Sequence, residues 1–509
     1  MITIKNKTTN TERTLTASQV AIEGAKLKVP FVTEPSLFPA DYEIILNENT
    51  VINADGVGNE RISVEFSALA TLQSQEKYIK FEAISGNNTI STQRILAGTA
   101  MTTGVSSNRA LQQSRDGVNW TAWNGSGLAL NVGTPLYVRG RITANGTIEL
   151  YTQFVFTNTN NTVRCTGDMR YMALNANWEL PADNGRAVPF TRCYQQMFQD
   201  CISLIEAPAL PATTLALCCY QYMFRNCTSL TKAPALPATT LAVQCYQYMF
   251  DGCTSLIEAP VLPATTILTY SCQYMFRNCT SLTKVPELPA IDVWDWGYQY
   301  MFDGCTSLTK APALPATTIR GSSYSHMFQG CTSLTEVPDL LVTNLPTTTS
   351  SHCAFMFSGC TSLTKAPALP ATTVASRCYQ SMFQGCTSLT KAPALPAATL
   401  AGQCYQWMFD GCTSLTVAPD LPATTLRDRC YANMFQGCTG LTEVRIRASS
   451  GLSNTTAAVS NSTTNMLADT GDSSPDGILY CNQANALAMT NATDRWSRRN
   501  YADWVPPVG

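Results

Sequence analysis

From Cys201 to Cys438 the chain repeats one arrangement of apolar and polar positions, with a period of 26 residues. Each unit reads approximately C-Y-Q-x-M-F-x-G-C-T-S-L-T-K-A-P-A-L-P-A-T-T-L. Ten cysteines mark it, at 201, 227, 253, 279, 305, 331, 360, 386, 412 and 438, and one gap is 29 residues. The leucine after each cysteine never changes, from Leu204, Leu230 and Leu256 through to Leu441. Met223, Phe224, Leu236 and Leu241 stand for further apolar columns, the last accepting Ile or Val. A period of this length predicts a solenoid, because a unit buries its apolar edge only by stacking on the next. The run Thr231–Pro237 is expected to be extended, since Pro234 and Pro237 forbid a helix. Those prolines also remove ladder donors, so the stacked sheet should be frayed there. Tyr220–Phe224 is expected as a helical turn on the opposite side. Ten coils at about 4.8 Å give a rod of about 50 Å.

Before the repeats the pattern changes to alternation. Ile62, Val64 and Phe66 alternate with polar residues, as in a half-buried strand, and Tyr42–Leu46 and Tyr78–Ile84 read the same way. Ala17–Lys28 is expected as a short helix. From residue 96 to 165, an Asp116-Gly117 turn precedes Trp120, and Leu136–Ile142 and Leu150–Phe156 are the strongest strands. A small antiparallel sandwich follows. Met169, Tyr171, Met172, Leu174 and Trp178 supply apolar surface for a cap on the first coil. At the far end Asn454–Asn465 is a polar loop, and Asp476–Cys481 with Trp496–Trp504 forms an aromatic lid. The expected architecture is mainly β. It comprises an N-terminal β anchor domain (1–95), a sandwich-like domain (96–165), a cap (166–192), the repeat solenoid with short helical turns (193–445) and a C-terminal cap (446–509).

Composition narrows the function. Charged residues are 13% of the 509, and the net charge is −2, which leaves no electrostatic footprint for nucleic acid. No apolar run approaches a membrane span, so no membrane insertion is expected. The polar start Met1-Ile-Thr-Ile-Lys-Asn lacks the apolar core of a signal peptide, and synthesis without secretion is the expectation. The 21 cysteines lie mainly in two repeat columns, and the first column is broken by Ser271, Gly297, Ser323 and His352. There is no C-x-x-C and there are two histidines, so neither a metal nor a cofactor is expected. Small buried thiols stacked along the solenoid fit this spacing. Two columns alternate in sign: Glu206, Lys232, Glu258 and Lys284, and Arg225, Asp251, Arg277 and Asp303. They predict weak surface ion pairs of under about 1 kcal/mol each that help set coil register.

No nucleophile motif lies near His326 or His352, and no phosphate loop is present, so no active site is expected. One stretch breaks the repeat, Ala290-Ile-Asp-Val-Trp-Asp-Trp-Gly-Tyr-Gln-Tyr300. It brings in Asp292, Trp294, Asp295, Trp296 and Tyr298, with Tyr270 one coil before and Tyr324 and His326 one coil after. Aromatics beside acids suit sugar binding, a protein contact or the filling of space, and the residues leave all three open. The insertion Leu341–Ser351 is a further candidate for a binding edge.

The unit M-F-x-G-C-T-S-L-T-x-A-P-x-L-P resembles the BspA-like leucine-rich repeat, over about residues 190–445. That resemblance implies a surface or adhesion protein of gut and oral anaerobes, or of the phages that infect them. Residues 112–156 and 477–504 also resemble the β module and the closure that accompany such repeats. With no signal segment in view, the expectation is a non-enzymatic virion component, a fibre, decoration or tail-associated protein. Its N-terminal domain would meet other assembly proteins, and its solenoid a host surface protein or polysaccharide. A bacterial cell-surface adhesin is the alternative.

Overall fold

The structure, a computed structural model, describes the strands between residues 2 and 67, most of 77–180, nearly all of 187–448 and short pieces of 463–500. The chain forms two compact units, Met1–Glu76 and Lys77–Gly509. Among the described residues it is strand and turn, with one short 3-10 helix at Met169–Met172. No helix among them is long and apolar enough to cross a membrane.

In the first unit β1 (Ile2–Asn6), β2 (Thr11–Leu15), β5 (Asp41–Leu46) and β6 (Ile62–Ser67) make an antiparallel sheet in the order β2-β1-β5-β6. Ile62, Val64 and Phe66 are registered against Leu46, Ile44 and Tyr42. The helix expected at Ala17–Lys28 is instead a hairpin of β3 (Ala21–Glu23) and β4 (Lys26–Lys28). Gly24 falls inside that segment and disfavours a helix.

The second unit begins earlier than residue 96. Its strands are β7 (Ile79–Ala83), β8 (Asn88–Leu96), β9 (Thr99–Thr103), β10 (Arg109–Ser114), β11 (Thr121–Trp123), β12 (Leu128–Leu130), β13 (Leu136–Ile142), β14 (Leu150–Phe156) and β15 (Val163–Gly167). β7 pairs with both β13 and β15, and β8 pairs with β14, so the boundary falls after Glu76. The sheets β11-β10-β13-β7-β15 and β12-β8-β14 enclose Ile79, Phe81, Val138 and Phe154, all fully buried. At the Asp116-Gly117 turn, Asp116 Oδ1 accepts the N–H groups of Val118 and Asn119 at 2.9 and 2.8 Å.

The sandwich runs directly into the solenoid. β15 pairs in parallel with β16 (Leu204–Glu206) of the first coil. Phe154 N–H donates to Met197 O at 2.8 Å, and the Phe154 ring stacks on Phe198 at 5.3 Å. The bridges Asp168↔Ala209 and Ala187↔Thr214 complete the circuit. These segments together act as a preceding coil. The first coil is therefore covered by β14 and β15 as well as by 166–192. Within that span Leu174 N–H turns back to Gly140 O of β13, at 2.9 Å. The expected cap residues thus serve the sandwich too.

Each coil has a frayed, proline-containing side and a turn side. On the first, adjacent coils meet through isolated bridges such as Glu206↔Lys232 and Lys232↔Glu258. Short parallel strands also form there, β17 (Thr266–Ile267), β18 (Asp292–Val293) and β19 (Thr318–Ile319). The helical turn expected at Tyr220–Phe224 is a chain of successive β-turns. Cys193, Gln195, Met197, Gln199 and Cys201 donate to the carbonyl three residues back, while Tyr194, Gln196, Phe198 and Asp200 donate to Cys219, Gln221, Met223 and Arg225 of the next coil. Beyond its first turn an α-helix directs each N–H to the carbonyl four residues back in the same coil, where it cannot join the next coil. Alternating the donors requires the left-handed region at every fourth residue, as at Arg192, Gln196 and Asp200 with φ of 58–59°. At the far end β20 (Asp420–Leu421), β21 (Glu443–Ile446), β22 (Gly477–Cys481) and β23 (Trp496–Asn500) continue the parallel ladder. The loop Asn454–Asn465 lies almost wholly outside the described residues, as do residues 501–504.

Candidate functional site

The interior of the solenoid is built from fixed columns. Phe198, Phe224 and the corresponding phenylalanines to Phe435 stack at 5.4–5.8 Å. Every described cysteine is free and buried, and burial pushes the Cys245, Cys386, Cys430 and Cys438 thiols up to about 12. A neutral thiol can donate, and Cys227, Cys253, Cys279 and Cys305 each donate to the phenylalanine carbonyl of the previous coil at 3.0–3.1 Å. A third column carries the buried glutamines Gln195, Gln221, Gln247 and Gln273, each Nε2 donating to the next Oε1 and the last to that of the half-buried Gln299.

The turn side also carries an outward column, at the variable position of Q-x-M-F. Tyr222, Tyr248, Tyr274, Tyr300, His326 and Phe355 stack there at 4.2–4.8 Å with interplanar angles of 7–13°. These six rings occupy coils two to seven and are half-buried, with backbone φ of 56–59°. The Tyr248 hydroxyl donates to that of Tyr274. Interior rings have both faces covered by their neighbours, so what they present outward is a row of ring edges. The sequence named His326 alone of these residues. The signal for the rest was the recurrence of tyrosine at the third position of Tyr220–Phe224, at 222, 248, 274 and 300.

Beside this row runs the charged column. Asp251 is buried and accepts from Arg225 Nε at 3.0 Å and from Arg277 Nε and Nη2 at 2.9 Å each. The ladder of weak surface pairs expected here is therefore a buried carboxylate held by two guanidiniums. Arg277 turns back to Asp251, and Asp303 in the next coil takes no salt bridge among the described residues. Burial, opposed by Arg277, pushes the Asp303 carboxyl up to about 6. In the exposed column Lys310 and Glu336 pair at 3.4 Å on largely exposed side chains, but among the described residues Glu206, Lys232, Glu258 and Lys284 form no such ladder, and Glu206 pairs instead with Arg164 at 2.8 Å.

The eight residues singled out in the sequence divide into five groups. Tyr298 and Tyr324 are 1% exposed and stack on each other in the core at 6.2 Å, so neither can meet a ligand. They belong to the tyrosine column that also holds Tyr220 and Tyr246. Asp292 and Trp294 are paired, the indole Nε1–H donating to Asp292 Oδ2 at 3.0 Å. Arg320 covers the Trp294 ring at 4.2 Å and lies 3.7 Å from the same carboxylate. Tyr270 and Trp296 stack at 4.8 Å and 7°, both half-buried. The Asp295 carbonyl accepts Tyr270 N–H at 3.2 Å. His326 joins the outward row, where its Nδ1 and Gln329 Oε1 are 2.5 Å apart. The insertion 341–351 is only partly within the described residues.

A groove of about 390 Å³ between the second and third coils is lined by Lys232, Leu236, Pro237, Glu258, Val261 and Pro263. Alanines and prolines dominate it, and no group of polar side chains converges there. No cluster of His, Cys, Asp and Glu suited to a metal occurs among the described residues.

The BspA type Leucine rich repeat region matches in six copies, over residues 191–335 and 297–442. The repeat region of this chain belongs to the BspA-type leucine-rich repeat family. Proteins with these repeats are typically surface-exposed and generally non-enzymatic. The chain is also similar to a solved leucine-rich repeat protein from Bacteroides ovatus ATCC 8483, at 17% identity over 60% of this chain and 85% of that one, with a TM-score of 0.27. No curated protein matches it.

Proposed function

We propose that this BspA-type protein is a non-enzymatic recognition protein displayed on a surface, with the solenoid as its binding element. The observation that carries the reading is the row Tyr222–Tyr248–Tyr274–Tyr300–His326–Phe355, half-exposed on one wall of the repeats. Coils eight and ten carry Ser381 and Asn433 at that position and still stack, so the aromatics are not a condition for the fold. Half-exposed aromatic surface maintained over six coils favours binding. The partner is a host surface protein or polysaccharide. A virion is the first setting for display, and a bacterial envelope the second. The separate unit Met1–Glu76 is the part assigned to anchoring.

Mass spectrometry of purified phage particles and of washed bacterial envelopes from the same source tests the setting. Recovery in particles at fixed copy number is the expected result. Recovery only on envelopes would replace the virion by a cell-surface adhesin, and recovery in neither would overturn surface display.

A further inference from the structure

The spacing and chemistry of the outward row bear on what it binds. Its rings advance 4.2–4.8 Å per coil, along the solenoid axis, for six coils. An extended peptide lying on it would present side chains on one face every about 6.6 Å, out of step with the rings. One pyranose of an extended, β-linked glycan advances by close to one coil. The row offers tyrosine hydroxyls, which donate and accept, and ring edges, whose partial positive charge suits oxygen. The two arginines beside it are already committed to Asp251, so no free cation is offered to an anionic chain. Asp303, half-buried and without a salt bridge among the described residues, can accept hydroxyl hydrogens, next to Tyr300 and one coil before His326 and Gln329.

Four residues before Tyr300, in the same left-handed conformation, stands Trp296. One indole face is covered by Tyr270. The same position of the following coil holds Ser322, too small to cover the other. An indole face without a ring upon it is a platform for sugar C–H groups.

We infer that the wall formed by the row Tyr222–Phe355, Asp303 and Trp296 binds a neutral, linear polysaccharide that runs parallel to the solenoid axis with about one sugar residue per coil. This rests on the reading of the solenoid as the recognition element and names its ligand class. The alignment makes affinity depend on ligand length. Each added sugar meets another ring until the row ends at Phe355.

The test is titration of the full chain with linear gluco-, manno- and N-acetylglucosamine oligosaccharides of one to eight units. At least one series should tighten with each unit up to about six and then level off, as the six rings require. The double variant Tyr274→Ser/Tyr300→Ser should lose about tenfold or more in affinity. Serine is what the eighth coil carries there, so the variant has a precedent for folding, and an unchanged melting temperature would verify it. Trp407→Ser, at an isolated aromatic in the ninth coil, should bind as the parent does. Binding independent of length, binding unchanged in the double variant, or no binding by any series would each overturn the inference. Capture of a protein ligand lost in the double variant would replace the glycan by a protein. None of these outcomes alters where the protein is displayed, which the particle and envelope measurement decides separately.

Discussion

Cys253 Sγ donates to the carbonyl oxygen of Phe224, one coil earlier, at 3.1 Å. The same oxygen accepts the N–H of Cys227 within its own coil, also at 3.1 Å. One carbonyl thus closes a turn and joins two coils. Cys201 makes the first such contact with Phe154 O of the sandwich at 3.2 Å. The repeat continues across the domain junction through the same bond.

This relationship predicts thiol behaviour. In the native protein the described cysteines should not react with an aromatic disulfide reagent at pH 8, and they should react on unfolding, since burial holds them protonated. Cys253→Ala should cost about 1–2 kcal/mol in chemical denaturation, from a lost hydrogen bond and a small cavity. Rapid labelling of the folded protein would contradict the assignment.

The alternation Arg-Asn-Cys and Asp-Gly-Cys has a packing cause. Asn278 and Gly304 occupy the same left-handed position in successive coils, with φ of 58° and 71°. A Cβ on Gly304 would lie 2.5 Å from Asn278 Oδ1, whereas one on Gly385 would meet only Gly359, at 3.9 Å. Gly385→Ala should cost about 1–2 kcal/mol for the backbone alone, and Gly304→Ala should cost more. Equal melting temperatures for the two variants would refute this.

Asp251 holds two arginines from a buried position. Asp251→Ala leaves both guanidiniums without their acceptor and should lower stability by about 2–3 kcal/mol, discounted for the partial exposure of the arginines. The change should depend little on added salt, unlike that at Lys310→Ala, which should stay under about 1 kcal/mol.

Asp303 gives a pH dependence of opposite sign to a normal salt bridge. Its carboxyl is raised to about 6 in the fold, against the ordinary value of 3.8. The folded state therefore holds the proton more tightly, and this group's contribution to stability falls as pH rises from about 4 to about 6. Asp303→Asn should be more stable than the parent above pH 6, and the difference should shrink as the pH falls to 4. His352, lowered by burial to about 4, works the other way over the same window. The parent-minus-variant melting temperature isolates Asp303.

The repeat, its inward columns and the frayed proline side were legible because invariant leucine, phenylalanine and cysteine columns and fixed prolines have one physical reading. The β-turn wall was not. Tyr220–Phe224 contains good helix residues, and nothing local says that alternate N–H groups serve the next coil. Mistaking that wall for a helical turn also hid which residues point outward. Tyr298 and Tyr324 have the chemistry of a binding residue, but their column, shared with Tyr220 and Tyr246, is buried. Tyr248 and Tyr274, two residues along, lie in the outward column. The boundary at residue 95 failed because strand pairing is non-local. Tyr78–Ile84 reads as a strand, but only its pairing with β13 and β15 shows to which unit it belongs.

Recognition through the outward aromatic wall is the central claim. Flow cytometry of intact anaerobe cells incubated with labelled full chain, alongside the Tyr274→Ser/Tyr300→Ser variant at equal thermal stability, tests it most directly. Saturable staining by the parent that the variant loses by about tenfold or more is the predicted result. Equal staining by both, or none by the parent, would contradict it.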